Sequence, residues 1–511
     1  MPVVTFRVPA HATSDVIDAI TELGLAFGPR RNLTTTLVDT FDGRLHGAGL
    51  RLELRRSELI ELVLSGENVV PAHLTVDVVP RVLADLPSGP FRSRLAALVD
   101  VRALLPQLRI RMGRSTGVWR DRTGKVVAIA ELHEDVHLLD GPVIDRFTMI
   151  EVHEVPGYAK RSDRVVAVLQ DVGLEACGSD TLSQCAEAAG IDLAGFTSSA
   201  TVPLAPGMAS LEGFRAVLAN LAVSIAANWQ GTIDQIDPKF LHDLRIAVRR
   251  TRTVLGASKS VLPAAILDPA REEFAWLAGA TGAARDLDVY LLEWERYTDP
   301  LGVEAAAALA PVRDVLARHR AEAHFELAGV LRSERAAELM AEWRYWLAEP
   351  LGDDTLPRRA DQPLGRTVAK RIARAHKTLI DGGRLIGPDT PAEDVHSLRK
   401  DAKKLRYLIE CFGSLLPDKP RRQYVKRLKA LQENLGEHQD AEVHITLLRS
   451  LAAELDATGA AARTMVAIGQ LTERLDQTRV AARAEFAGRF ADYDSPATKR
   501  SLDALLRAID T

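Results

Sequence analysis

The stretch HDLRIAVRRTRTVLG, residues 242–256, sets the character of the C-terminal half of this 511-residue chain. Its apolar residues recur three and four positions apart, which predicts an amphipathic helix. Basic residues at offsets 0, 3, 7 and 10 fall within about 80° of one another on such a helix. They form one stripe, and a further arginine flanks it. These residues are His242, Arg245, Arg249 and Arg252, with Arg250 at the flank.

A second stretch, HSLRKDAKKLRYLIE at residues 396–410, repeats the first at a constant offset of 154 positions. The offset still holds at Val289 and Val443, so two helices and their connection are duplicated without net insertion. A period this long indicates two copies of a several-helix unit. We interpret residues 209–360 and 361–511 as two pseudo-symmetric four-helix bundles, side by side. The second basic stripe and its flanking lysines are His396, Arg399, Lys400, Lys403, Lys404 and Arg406.

Residues 1–197 have a different pattern, in which apolar and polar residues alternate with the period of a strand. Examples are LRLELRR at 50–56, LRIRM at 108–112, AIAELHEDV at 128–136 and MIEVHEV at 149–155. Alternation alone fits either a sheet with one solvated face or a barrel with a polar lumen. The stretch TSSATVPLAPGMAS at 197–210 is rich in Ser, Thr and Pro and predicts a linker at 198–208.

Composition narrows the class of protein. Hydrophobic residues make up 47% and charged residues 26% of the chain, which is typical of a globular protein. We expect no membrane span because we find no run of about 18 apolar residues, and the N-terminus lacks the pattern of a signal peptide. The cysteines Cys177, Cys185 and Cys411 do not form a metal-binding pattern, so we expect reduced thiols in the cytoplasm.

The net charge of −4 hides a local surplus of positive charge. Residues 366–429 contain 17 Lys and Arg against 7 Asp and Glu, a net of +10. Like charges three and four positions apart repel by a few tenths of a kcal/mol per pair. Either carboxylates such as Asp286, Asp288 and Asp440 compensate the stripes internally, or an external polyanion does. Further candidates for anion binding on neighbouring helices are Arg374, Lys377, Lys426 and Lys429.

The residue types favour a chain of phosphates over nucleic acid. Arginine binds phosphate oxygens in a bidentate manner, and lysine adds a mobile point charge. Proteins that bind single strands use aromatic side chains for stacking. Aromatic residues are only 5% of this chain, and Tyr407 is the one aromatic residue in the two basic stretches.

The pattern H-x-L-R-x-x-x-R-R-x-R, followed by G-x-x-R-D-x-D-V at 282–289, resembles the CHAD domain (conserved histidine α-helical domain) over residues 209–511. The resemblance implies two pseudo-symmetric four-helix bundles. It also implies that inorganic polyphosphate binds to a basic surface lined by the His, Arg and Lys positions named above. The second copy departs from the motif at GEHQDAEV (436–443), where Gln439 and Glu442 replace Arg and Asp.

The first half is similar to the CYTH domain, a triphosphate tunnel fold that often precedes a CHAD domain. The stretch LVDTFDGRLHGAGLRLELRR at 37–56 carries this resemblance, which implies that polar strand faces line a lumen. The family's catalytic pattern is eroded. E-x-E-x-K reads Val3-x-Thr5-x-Arg7, Glu53 replaces an arginine, Ser65 stands at the lysine of T-x-K-G, and only Glu151 remains of E-x-E-x-E. Hard divalent cations need several oxygen ligands before they can activate a phosphoryl group, so we expect a pseudoenzyme domain without catalytic or metal-binding residues.

The resulting expectation is an α+β multidomain protein. An N-terminal antiparallel β-barrel or tunnel with helices (1–197, degenerate CYTH-like) precedes an all-α CHAD domain (209–511). We expect it to bind inorganic polyphosphate in the cytoplasm, polyphosphate granules included, without a cofactor or a membrane and with nucleic acid disfavoured. Two alternatives concern the tunnel: a triphosphatase- or polyphosphatase-type hydrolase with weak metal-dependent activity, or metal-free anion binding by Arg7, Arg55 and Arg111. The sequence names no protein partner.

Overall fold

The computed structural model describes residues 3–509 except 57–58, 67–68, 198–200, 350–355, 458 and 460. The chain divides into two compact units, Met1–Thr197 and Ser198–Thr511. Residues 198–200 of the expected linker lie outside the described residues. The predicted order of a sheet-rich N-terminal region and an all-helical C-terminal region is confirmed.

The N-terminal unit is built on one antiparallel sheet. Its strands are β1 Val3–Val8, β2 Leu25–Phe27, β3 Arg31–Asp39, β4 Leu50–Arg56, β5 Ile60–Gly66, β6 Val69–Val76, β7 Leu105–Arg120, β8 Val126–Leu138, β9 Phe147–His153 and β10 Ala176–Cys177. The order is β10-β1-β9-β8-β7-β3-β4-β5-β6, and β2 pairs with β7 beside that path. Among the described residues no pairing joins β6 to β10, so the strands do not close into a complete barrel, while the predicted α+β layout is confirmed. The edge strand β10 has only two residues, both of which pair with β1.

Helices cover the apolar faces of this sheet and fix which side chains point inward. They are α1 Thr13–Glu22, α2 Arg44–Gly47, α3 Pro90–Val99, α4 Ala159–Asp171 and α5 Thr181–Ala189. Ile20 of α1 and Val165 of α4 pack against Phe6 and Ile150. Because side chains alternate along a strand, the next residue, Glu151, points to the opposite face of the sheet.

The C-terminal unit is helical. Its helices are α6 Ser210–Ile233, α7 Pro238–Ala257, α8 Ala264–Ala280, α9 Gly282–Leu292, α10 Trp294–Thr298, α11 Val303–Ala308, α12 Ala310–Leu331, α13 Glu334–Ala348, α14 Leu364–Gly383, α15 Ala392–Cys411, α16 Asp418–Ala457, α17 Ala462–Tyr493 and α18 Pro496–Arg507. Short 3₁₀ turns lie at Ala10–Ala12, Leu83–Asp85, Asp299–Leu301 and Gly413–Leu415. The Asp237 carboxylate accepts the backbone N–H groups of Lys239 and Phe240, and Pro238 is the first residue of α7. Both features favour a helix start at this point.

The offset of 154 relates α6 to α14 and α7 to α15, and each pair begins at corresponding residues. The copies differ in their third helix, because α8 and α9 of the first copy correspond to the single helix α16. Thr281 stands at the break, where α16 has Leu435. Its hydroxyl donates to the carbonyl oxygen of Ala278 at 2.9 Å, a bond of the kind that competes with the helical ladder. Each copy also ends in a further helix, α13 or α18, which the prediction of four helices per copy missed.

The two copies share one hydrophobic core. Leu244 and Leu398, which the repeat relates to each other, belong to the same buried cluster. The rings of Phe214 and Phe412 lie 5.0 Å apart across the copies. A second cluster joins α9 and α12 to α16 and α17. There the repeat-related pair Tyr290 and His444 is in contact, with ring centroids 4.3 Å apart. The copies therefore pack about a pseudo-twofold axis as one body, and not as two bundles with separate cores.

One described helix, α6, is long and apolar enough to cross a membrane by length and composition alone, which the search for unbroken apolar runs did not predict. Half of its apolar window is buried inside the helical unit. Phe214, Leu218 and Ile225 on this helix are fully buried in the shared core. Core helices of this kind meet the same length and composition criteria.

Candidate anion-binding site

The two basic stripes meet where α7 packs against α15. Arg249 and Lys403, which occupy equivalent positions of the two copies, lie close together there. Both line a cavity of about 730 Å³ between α7, α8 and α15. The structure thus brings residues from both copies of the repeat into one concave surface.

This interface cavity is strongly basic. Six cationic and two acidic side chains line it: Arg249, Arg252, Arg271, Lys400, Lys403 and Lys404, with Asp268 and Glu272. Among the described residues, no salt bridge joins any of these six cations to a carboxylate. Burial, followed by the charges of Arg399 and Arg249, lowers the pKa of Lys403 to about 8. The cavity therefore holds positive charge that the surrounding protein does not neutralise.

Other members of the stripes are used within the protein. Arg245 donates through Nη1 to the carbonyl oxygen of Ala278 at 3.1 Å and to the hydroxyl of Thr281 at 3.0 Å. It therefore satisfies the C-terminal end of α8, where the helix breaks. The equivalent residue of the second copy, Arg399, pairs instead with Asp440 at 2.9 Å.

A carboxylate also neutralises the arginines on one side of the α7–α15 contact. Glu410 lies 2.7 Å from Nη2 of Arg250 and 3.5 Å from Nε of Arg406. Both guanidinium groups also lie over the ring of Tyr407, at 5.9 and 5.4 Å from its centroid. Internal ion pairing thus applies to Arg250, Arg399 and Arg406, whereas Arg249 and Lys403 form no salt bridge among the described residues.

The histidines at the head of each stripe lie outside the residues described as lining this cavity, and both are half-buried. Burial lowers the pKa of His396. The charges of Lys400, Arg399 and Lys403 act in the same direction, and the neighbouring Gln439 opposes them. Among the described atoms, Nδ1 of His396 is buried without a hydrogen-bond partner. His242 heads the first stripe at the equivalent position on α7.

The outer candidates are distributed over different surfaces. Arg374 lines a second cavity of about 350 Å³ beside α14. Lys377 pairs with Asp381 one turn along the same helix, at 2.7 Å. Lys426 and Lys429 are exposed on α16, and neither lines a described cavity. The repeat relates them to Glu272 and Ala275 of α8, which line the interface cavity. Lys426 and Lys429 therefore lie on the opposite side of the α7–α15 contact.

Two cations that line these cavities are not predicted from the sequence. Arg271 belongs to the wall of the interface cavity and Lys259 to the second cavity. Neither belongs to a basic stripe, so no spacing rule selects them. Only the packing of α8 and α14 beside α7 and α15 shows that they are close to the site.

The N-terminal unit contains a cavity of about 1030 Å³ on the inner side of its sheet. As predicted, the polar faces of β4, β8 and β9 point into it. The arginines described in its lining, Arg51, Arg55 and Arg114, pair with Asp180, Glu53 and Glu131, respectively. Burial alone would lower the pKa of Arg55, but the Glu53 carboxylate overcomes this and raises it. Unlike the cations of the interface cavity, these arginines are already neutralised by neighbouring carboxylates.

Two glutamates stand directly opposite each other on β8 and β9 in this cavity, the half-buried Glu131 and the buried Glu151. Such like-charged pairs destabilise a sheet unless they are compensated. His133 lies 3.5 Å from Glu131, and its Nδ1 lies 2.8 Å from the hydroxyl of Thr181. His153 lies 3.8 Å from Glu131 and 3.9 Å from Glu151. Among the described residues, no group of three or more His, Cys, Asp or Glu side chains is arranged to hold a metal ion.

Two of the arginines considered for metal-free anion binding in the tunnel, Arg7 and Arg111, are not among the residues described as lining its cavity. Arg111 is exposed on the outer face of β7, because the apolar residues Ile110 and Met112 turn inward and pack against α5. Arg7 lies over the ring of Phe147, 5.1 Å from its centroid. Of the three arginines in that alternative, Arg55 is the one described as lining the cavity.

Comparisons with known proteins bear on each half separately. The sequence model of the CHAD domain family matches residues 216–449. An uncharacterized protein of Mycobacterium tuberculosis (strain ATCC 25618 / H37Rv) is 27% identical over 213 residues, which cover 40% of this chain and 38% of that protein. The chain therefore matches well under half the length of this curated relative.

Among solved structures, the CHAD domain of the plant Ricinus communis is 29% identical over 60% of this chain and 96% of its own, with a TM-score of 0.45. A putative adenylyl cyclase from Hippeastrum, described as having a dominant triphosphatase activity, is 15% identical over 37% of this chain and 97% of its own, with a TM-score of 0.28. Because both TM-scores lie below 0.5, neither likeness establishes a shared fold. The duplicated basic motif and the family match over residues 216–449 agree, so this part of the helical unit is similar to the CHAD domain family.

Proposed function

We propose that this protein binds inorganic polyphosphate in the interface cavity between α7 and α15. The observation that carries the proposal is the unpaired positive charge of Arg249 and Lys403, which lie close together at the pseudo-twofold contact. A polymer of phosphates supplies many negative charges along one chain, and arginine and lysine side chains bind its oxygens well. The association of CHAD domains with polyphosphate supports the same ligand.

The surroundings of Tyr407 favour a phosphate chain over nucleic acid. It is the one aromatic residue among those described as lining the cavity, and only 6% of it is exposed. Its ring packs against the guanidinium groups of Arg250 and Arg406. A base therefore has no open aromatic face to stack on, which is the usual basis of single-strand binding.

For the N-terminal cavity we propose that it has no hydrolase activity. Each arginine described in its lining is neutralised by a carboxylate, and the sequence lacks the carboxylates of E-x-E-x-K. Without several oxygen ligands, a hard divalent cation cannot be held there to polarise a phosphoryl group. Incubation with tripolyphosphate or long-chain polyphosphate and Mg²⁺ or Mn²⁺ is expected to release no phosphate above the blank. Release that disappears on mutation of Glu131 and Glu151 to Gln would make the protein a hydrolase.

The binding proposal is tested by calorimetric titration of the full chain with long-chain polyphosphate. Arg249→Glu combined with Lys403→Glu is expected to weaken binding at least about a hundredfold, since two contacts become repulsive. The matched control is Arg463→Glu at the start of α17, an exposed arginine that lines neither cavity. Equal affinities for the wild type and the double variant would contradict the proposal. If a single-stranded oligonucleotide resists displacement by polyphosphate, the ligand is nucleic acid instead.

A further inference from the structure

The interface cavity continues into the second cavity. Gly256 and Lys404 line both of them, so the two concave surfaces meet at this pair of residues. On the far side lie Lys259, Arg371 and Arg374. A row of cations thus runs from the α7–α15 contact over the end of α7 to α14.

The second cavity contains one carboxyl group among its described lining residues, that of Asp401. Burial raises the pKa of this carboxyl, while Lys404 acts in the opposite direction. Arg371 donates to the carbonyl oxygen of Lys259 at 2.6 Å, which fixes its position at the cavity wall. Arg374 is exposed and forms no salt bridge among the described residues. The second cavity therefore also presents more positive than negative charge.

The symmetry-related route differs in charge: Lys259, Arg371 and Arg374 correspond to Gly413, Val217 and Asn220, and a carboxylate replaces Gly256. The offset of 154 relates Gly256 to Glu410, the last residues of the two quoted stretches. Glu410 pairs with Arg250 and Arg406, and despite burial it raises the pKa of Arg250. A cavity of about 660 Å³ lies beyond it, lined by Arg421 and Arg422, both of which pair with Asp418. At Glu410 an anion that passes between the two cavities meets a carboxylate, whereas at the equivalent position of the first copy it meets Gly256. We call this position the crossing point.

We infer that polyphosphate follows a single track, from the interface cavity over Gly256 into the cavity beside α14, and that Glu410 closes the equivalent route in the other copy. This inference rests on the proposed function. Gly256 is exposed, and a Cβ atom added to it would meet nothing within 4 Å. The track therefore passes a position that accepts a side chain without disturbing the helix. Because the two copies differ at Gly256 and Glu410, polyphosphate follows only one of the two routes that the pseudo-symmetry would otherwise make equivalent.

The first arm of the test compares two exposed arginines, one on each side. Arg374→Gln removes a charge from the track, and Arg422→Gln removes one from the closed side. Each phosphate contact contributes to the salt dependence of affinity through counterion release. Titration with long-chain polyphosphate at several salt concentrations is expected to show a log–log slope that is shallower by about one for Arg374→Gln. The slope for Arg422→Gln should match that of the wild type.

The second arm changes the crossing point itself. Gly256→Glu places the carboxylate of the second copy on the track and is expected to weaken binding about tenfold. Gly256→Gln has nearly the same size without the charge and serves as the control, so that the difference in affinity between the two variants measures the effect of the charge. Glu410→Gln opens the other route and should steepen the salt slope.

The outcomes separate the track from the proposed function. If the wild type does not bind polyphosphate, the proposed function fails, and the track fails with it. If the wild type binds with a steep salt dependence but Arg374→Gln and Arg422→Gln behave alike, only the track is refuted. Equal affinities of Gly256→Glu and Gly256→Gln would likewise refute it. A slope unchanged by Glu410→Gln would show that this carboxylate does not close the other route.

Discussion

Arg249 and Lys403 show how a repeat can concentrate charge at one point. Equivalent residues of two copies meet wherever a pseudo-twofold axis passes between them, so a basic residue at such a position faces its own counterpart. Burial and the neighbouring arginines leave Lys403 with a pKa of about 8. That is well below the ordinary value of about 10.4 for lysine. The negative charge of a bound phosphate would stabilise the protonated form of Lys403 and raise its pKa.

Polyphosphate binding is therefore expected to take up protons at Lys403 near pH 8.5. The pKa is about 8 in the free protein and higher in the complex, so uptake occurs between these two values. By linkage, affinity falls as pH rises through this window. Calorimetry at pH 8.5 in buffers of different ionisation enthalpy measures the uptake. The Lys403→Arg variant stays charged at all these pH values, so most of the proton uptake should disappear. An unchanged proton uptake in this variant would show that Lys403 is not the group that is protonated.

A second proton uptake is expected at His396, at lower pH. Burial and the charge of Lys400 hold the pKa of this imidazole below its ordinary value in the free protein. Phosphates near the stripe favour the charged form, so affinity should rise as pH falls through the pKa of the complex. His396→Gln should reduce the proton uptake measured near pH 6.5. If His396 is instead a neutral donor to a phosphate oxygen, the uptake is near zero in both proteins.

At the scale of elements, the two copies have diverged at one helix. The break between α8 and α9 exposes the carbonyl oxygen of Ala278, and Arg245 donates to it. In the second copy α16 runs through the same point, and Arg399 binds the carboxylate of Asp440 instead. The same arginine of the motif thus acts as a helix cap in one copy and as part of a surface ion pair in the other.

This difference predicts unequal costs of mutation. Arg245→Gln should lower the free energy of unfolding by about 1.5–3 kcal/mol, the range for hydrogen bonds of a charged group. Arg399→Gln should lower it by less than about 1 kcal/mol, since Asp440 is 56% exposed and water screens the pair. Denaturant unfolding of both variants provides the comparison. Equal losses would mean that Arg245 does not support the end of α8.

The sequence predicts the elements better than it predicts the site. Helical spacing and the offset of 154 predict α7 and α15, and alternation predicts which faces of β4, β8 and β9 are polar. Periodicity cannot tell which cations remain unpaired, because Glu410 lies on one copy and Arg250 on the other. Nor does it predict the open sheet, since strand closure depends on edge strands as short as β10. Arg111 points away from the cavity because its neighbours Ile110 and Met112 pack against α5, which lies far along the chain.

At the scale of the whole helical unit, the shared core links the two copies. One cluster contains buried residues of α6–α8 together with residues of α14–α18, Phe214 and Phe412 among them. Separating the copies would expose much of this surface, and burial of apolar area is the main source of stability. The binding cavity also takes residues from both copies.

Neither copy is therefore expected to fold alone. Residues 209–360 or 361–511, produced separately, should show no cooperative thermal unfolding, whereas residues 209–511 should unfold in one transition. Circular dichroism during heating measures both. A cooperative transition in either single copy would show that its core is complete without the other.

The salt dependence of polyphosphate affinity tests the central claim most directly, because it counts the charges that the ligand neutralises. If about 6–10 phosphates are contacted, affinity for long-chain polyphosphate should fall by about 10³–10⁵ between 50 and 200 mM salt, as for nucleic acids. The double variant Arg249→Glu with Lys403→Glu should show a shallower slope as well as a lower affinity. An affinity that stays flat over this range, or a slope unchanged in the double variant, would contradict a polyphosphate site built on the meeting of the two stripes.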